Sequence, residues 1–203
     1  MRIDAPLYAA AETATLRRAL AGHSRKAARY ALLLAQVLGI GEENVLQDLF
    51  LGALLHDIGK VVVPREILAK AGPLTPDERE IIREHPGVGW RLIREFRPLK
   101  AASEIVLCHH ERFDGGGYPA GLAGDRIPLG ARIFSLADTL DAITSDRPYR
   151  RGRPFETAMR EIGRAAGSQF DPAIVGVFLS VPAAAWRRSG LGQTGALRLP
   201  RVN

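Results

Sequence analysis

Cysteine is almost absent from this chain of 203 residues. Cys108 stands alone, so no internal disulfide can form, and a reducing, cytoplasmic setting is expected. Long apolar runs are missing too. The longest stretch without a charged residue, Pro172 to Trp186, has 15 residues and is interrupted by Pro182. About 18 to 20 are needed to cross a bilayer, so no transmembrane helix and no membrane partner are expected. Met1 is followed by Arg2 and Asp4 rather than by a continuous apolar segment, which argues against an N-terminal secretory signal. Repeats are absent, and 46% apolar with 25% charged residues fits one globular domain.

Acidic residues are lacking in one place, the C-terminal end. Val181 to Asn203 carries Arg187, Arg188, Arg198 and Arg201 and no acid. Of the 28 Lys and Arg residues that leaves 24 over residues 1–180, against 22 acids, so the net charge of +6 and the pI near 10 reside mainly in the tail. Gly190, Gly192, Gly195 and Pro200 leave that segment without a helical or strand period. The expectation is a folded domain over 1–180 and a flexible basic tail over 181–203. A nearly neutral domain is no electrostatic footprint for a nucleic-acid polymer, and none is expected as partner. Polymer binding by the tail stays as an alternative that deletion of 181–203 would test.

What is abundant is helical period. Leu32, Leu33 and Val37, and again Leu46, Leu49, Phe50 and Leu54, recur at the spacing of one helix face. Thr75-Pro76-Asp77-Glu78 reads as a capping box with proline at the first helical position, starting a helix that ends near His85, before Pro86. Further helices are predicted over 25–38, 44–57, 87–96, 99–110, 128–145, 154–166 and 171–179, the last capped by Asp171. The β-branched run Val61 to Val63 predicts at most one short extended segment near 60–64. The fold class is all-α.

Five histidines are scattered through this pattern: His23, His56, His85, His109 and His110. One imidazole alone reads as a surface or core residue. Together with two acids the set reads differently. His56-Asp57 closes an apolar helix just before Gly59, so two metal-capable side chains emerge together. Adjacent helical residues diverge by about 100°, so His109 and His110 can share a metal only at a frayed helix end, which the glycines at 115–117 supply. Asp138 interrupts an apolar helix face, where a buried carboxylate needs a partner and a cation would serve. Five imidazoles and two carboxylates exceed what one ion takes; two ions fit better. A nitrogen and oxygen set without thiolate suits Fe, Mn, Co, Ni or Zn and argues against an iron-sulfur cluster. Two such ions can polarise a bridging water to hydroxide and stabilise attacking and leaving oxygens, which points to phosphoester hydrolysis.

The motifs that hold these residues, HDIGK over 56–60, HHERFDGGGYP over 109–119 and ADTLDAITSDRPYR over 137–150, resemble the HD-GYP domains of bacteria in order and spacing. The likeness begins near Gly22 (GHSRKAARYALLLAQVLGI), continues through ILAKAGPLT at 67–75 and ends at Phe170-Asp171-Pro172. It implies a helical bundle of the HD superfamily, here a catalytic domain over 1–180. It also implies a metal-dependent phosphodiesterase that hydrolyses cyclic di-GMP to pGpG or onward to GMP. By this resemblance His23, His56, Asp57 and Asp138 would hold one ion and Asp57, His85, His109 and His110 the other, with Asp57 bridging. Iron and manganese come first among the candidates, ahead of Co, Ni and Zn. Lys60 would contact the scissile phosphate, while Arg147 and Arg150 match positions that grip substrate phosphate. Asp141 matches a position near the site, where substrate binding and a solvated or salt-bridging role are both open. Gly117-Tyr118-Pro119 is the loop that names the family and is expected to bear on partner contacts and substrate access.

Some members bind a third metal through a Glu one turn before the first histidine, where this chain has Ala19, and Glu12 is too far away; a dinuclear site is expected. Relatives are often fused to a regulatory domain. With 22 residues before His23, either no covalent regulator is used or the chain is an excised catalytic piece. Expected partners besides cyclic di-GMP are a diguanylate cyclase, a separate regulatory protein or a second copy of the chain. Two readings compete with the enzyme: a catalytically weak HD-GYP module that binds the nucleotide or a cyclase, and an HD hydrolase for another cyclic dinucleotide.

Overall fold

The structure is a computed structural model that describes residues 22–146 and 151–192. Ala19, Glu12, Arg147 and Arg150, with the tail beyond 192, lie outside the described residues. Ten α-helices are described: α1 (Gly22–Val37), α2 (Glu43–Leu55), α3 (Arg65–Leu68), α4 (Pro76–Arg83), α5 (His85–Ile93), α6 (Lys100–Cys108), α7 (Leu129–Thr144), α8 (Phe155–Arg164), α9 (Pro172–Ser180) and α10 (Ala183–Gly190). Among the described residues the only β pairing is two isolated bridges, Asp114 with Ala123 and Ala166 with Phe170. No helix among them is long and apolar enough to cross a membrane.

Helix α1 is the axis of the bundle. Ala27, Ala28, Tyr30, Ala31, Leu32, Leu34 and Ala35 are all fully buried, which leaves little of the helix to solvent. Its alanines let neighbouring backbones approach closely, and it packs along α7, α2 and α10. Helix α6 lies on α2, and α5 closes on α6 and on the turn that follows His56. The capping box forms as read: the Glu78 amide donates to Thr75 Oγ1 at 3.2 Å and the Thr75 amide to Glu78 Oε2 at 2.7 Å. Asp171 caps α9 by accepting from the Ala173 amide at 2.8 Å.

Two expectations change. The segment at 60–64 is not a strand: Ile58–Val62 is a 3-10 turn, with the Lys60 amide donating to the Asp57 carbonyl at 3.0 Å. β-branched residues favour strands only where a neighbouring strand accepts their ladder, and here α5 lies against the turn instead. The expected tail does not begin at 181. Residues Ala183–Gly190 form α10, and Trp186 is fully buried, with its ring 6.0 Å from Tyr30 and 5.0 Å from Phe178. One large aromatic ring inserted in the core is sufficient anchor for a short helix that glycine and arginine otherwise make look loose.

Candidate metal centre

Three of the five histidines stand at the C-terminal ends of helices, where the last carbonyls have no partner inside the helix. His56 follows the last residue of α2 and donates from Nδ1 to the Ala53 carbonyl at 2.9 Å. His109 follows α6 and donates to Val106 at 2.8 Å. His85, just past α4, donates to Ile82 at 2.7 Å. Each carbonyl thus accepts from Nδ1, and each ring turns its Nε2 to a common centre. Leftover backbone acceptors orient the imidazoles.

The Nε2 atoms converge. Ligand atoms of His85, His109 and His110 lie within 4.8 Å of one another, and so do those of His23, His56 and Asp138. Asp57 sits between the two groups: its Oδ2 is 3.4 Å from His56 Nε2 and its Oδ1 is 3.5 Å from His85 Nε2. Lys60 donates to Asp57 Oδ2 at 2.7 Å. All seven residues expected to hold metal are therefore gathered in one place, with Lys60 at their edge.

The two groups differ in charge. Burial pushes His85 and His109 down, and pushes His110 down to about 4, so this triad is neutral at pH 7, with the His85 and His109 Nε2 atoms 3.2 Å apart. His23 goes the other way: the Asp138 and Asp141 carboxylates that its ring nitrogens face raise it to about 9. Burial lowers His56, but the neighbouring Asp57 leaves it raised overall. Burial alone would raise the Asp57 carboxyl, yet His56 and Lys60 hold it well below the usual carboxylate range. Asp138 Oδ1 is buried and makes no hydrogen bond of good geometry, although His23 Nε2 is 3.2 Å away. A buried carboxylate oxygen left in that state, beside aligned imidazole nitrogens, fits a cation.

A cavity of about 750 Å³ opens over the centre, lined by His23, Lys26, His56, Asp57, Lys60 and His110 among others. That volume is in the range of small-molecule sites. His85 and His109 are buried behind it.

The loop after α6 is built around Glu111, which sequence reading overlooked. Its buried carboxylate accepts from the Ala120 amide at 2.7 Å and the Leu122 amide at 3.0 Å, folding the loop back on itself. Gly117 permits this: a Cβ there would lie 2.3 Å from the Arg112 nitrogen. Tyr118 then stacks on His110, with ring centroids 4.8 Å apart and planes at 24°, and the Arg83 guanidinium lies 5.2 Å from the Tyr118 ring. The Tyr118-Pro119 bond is cis. Tyr118 thus touches the centre itself, through His110.

Asp141, expected near the substrate, is among the residues that line the cavity. Its side chain has no exposed surface: Oδ2 meets His23 Nδ1, while Oδ1 accepts from Ser145 Oγ at 2.6 Å and lies 3.3 Å from Lys26 Nζ. Lys26 and Ser145 were also missed; the spacing of Lys26, one turn after His23 on the same helix face, was the available signal.

The chain matches the HD domain family over residues 11–174. It is 43% identical over 150 residues to a cyclic di-GMP phosphodiesterase of Thermotoga maritima, covering 73% of this chain and 40% of that protein. It is 41% identical over 149 residues to the cyclic di-GMP phosphodiesterase response regulator RpfG of Xanthomonas campestris pv. campestris, covering 72% and 39%. It therefore spans about two fifths of the length of these relatives. A crystal structure of a cyclic GMP-AMP specific phosphodiesterase of Vibrio cholerae superposes with a TM-score of 0.61 at 23% identity, over 82% of this chain and 45% of that one, which shows a shared fold.

Proposed function

Because the chain belongs to the HD domain family, we propose that it is a metal-dependent phosphodiesterase of the HD-GYP type that opens cyclic di-GMP to pGpG. The single observation that carries this reading is the pair of ligand triads with Asp57 between them. His23, His56, Asp57 and Asp138 would hold one divalent ion and Asp57, His85, His109 and His110 the other. Iron or manganese is the first candidate, since nitrogen and oxygen donors without thiolate suit both. Bound there, such ions supply Lewis acidity to a phosphoryl oxygen and acidify water for attack on phosphorus. The protein's part is orientation and charge: backbone carbonyls fix three imidazoles, and Lys60 stands beside Asp57 as a cation for the scissile phosphate. Arg147 and Arg150 would grip the remaining phosphate charge. Onward cleavage to GMP and contact with a diguanylate cyclase or regulatory partner through the Tyr118 loop are further parts of this reading.

The test is metal analysis of protein purified without oxygen, together with turnover of cyclic di-GMP, cyclic GMP-AMP and cyclic di-AMP followed by chromatography. The expected result is about two ions per chain and pGpG as first product, with both metal and turnover lost in Asp57→Ala. An active Asp57→Ala protein that keeps two ions would overturn the site, and preference for another dinucleotide would overturn the substrate.

A further inference from the structure

His23 differs from the three histidines whose Nδ1 atoms are held by helix-end carbonyls. It lies on α1, and among the described residues its Nδ1 meets no backbone carbonyl. Something else must fix its ring. Asp141, from α7, does so: Oδ2 meets His23 Nδ1, while Oδ1 accepts from Ser145 Oγ at 2.6 Å and lies 3.3 Å from Lys26 Nζ. Lys26 also donates to Ser145 Oγ at 2.9 Å, which closes a ring of three polar side chains around the carboxylate. The Asp141 side chain has no exposed surface, and its oxygens belong to neither ligand triad.

We propose that Asp141, braced by Ser145 and Lys26, is the positioning residue that holds His23 with Nε2 toward the metal centre. A carboxylate behind a metal-bound imidazole fixes its tautomer and raises its donor strength, and losing such a partner costs about ten- to a hundred-fold in metal affinity or activity. The inference rests on the metal-centre reading above and assigns Asp141 a role distinct from substrate binding.

The experiment titrates the metal-free full chain with manganese, by calorimetry, in wild type, Asp141→Asn and Ser145→Ala, and follows cyclic di-GMP turnover at each loading. Wild type should take up two equivalents. In Asp141→Asn one equivalent should weaken by about ten- to a hundred-fold while the other is unchanged, with a smaller shift of the same kind in Ser145→Ala. Excess manganese should restore turnover with KM for cyclic di-GMP as in wild type. Two unchanged equivalents with a raised KM would make Asp141 a substrate contact and overturn the proposal. Equal weakening of both equivalents together with a lowered melting temperature in both variants would reduce it to a general support of the fold, and overturn it too. Wild-type protein that binds no manganese overturns the metal-centre reading itself, whatever the variants do.

Discussion

At the scale of the residue, the smallest side chain carries one of the tightest constraints. A Cβ on Gly59 would lie 1.9 Å from the His85 carbonyl oxygen and 2.6 Å from the Gly89 nitrogen, both backbone atoms that no rotamer can move aside. Gly59→Ala should therefore separate the turn after His56 from α5 at a cost of about 3 kcal/mol, the upper part of the range for overpacking. Urea denaturation would show it, and metal analysis should show weaker loading because His85 moves with the same backbone. The histidines and Asp57 were legible in sequence since metal-binding chemistry is written in residue type and local motif. The reason for Gly59 was not, because its neighbour His85 belongs to a different helix. Asp141 shows the same limit. Its identity marked it as close to the site, but whether a carboxylate faces the cavity or a neighbouring imidazole depends on how α1 and α7 cross.

At the scale of the element, the helices that carry strong amphipathic period or explicit caps fell where the sequence placed them, among them α4 with its capping box and α9 with Asp171 at its start. The two misread segments lacked such internal signals. Residues 60–64 have strand propensity without a strand to pair with, and α10 depends on the contact of Trp186 with Tyr30, far away in sequence. The loop after α6 is a third case, since its shape is set by Glu111 and by no turn motif alone. Replacing Glu111 by Ala leaves the Ala120 and Leu122 amides without their acceptor, which should cost about 1 to 3 kcal/mol. Hydrogen exchange should then quicken at those two amides while the core of α7 stays protected. Unchanged exchange there would mean that stacking of Tyr118 on His110 holds the loop unaided.

At the scale of the whole molecule, the seven candidate ligands come from α1, α7 and the ends of α2, α4 and α6, so a pair of ions bound among them would join segments more than a hundred residues apart in sequence. Three of those helix ends also direct the negative pole of their peptide dipoles at the same point, a placement that favours cations. The binding of metal and the closure of the bundle are then one equilibrium viewed from two sides. Above the dissociation constant, each tenfold rise in free manganese should add about 1.4 kcal/mol per site to the free energy of unfolding, and the melting temperature should climb with it. A chelator should reverse the climb, and a melting temperature indifferent to manganese would show that the helix ends hold their places without an ion. Such coupling would make the ion a component of the architecture: on the proposed reading, a cell short of metal would hold a looser protein as well as an idle one.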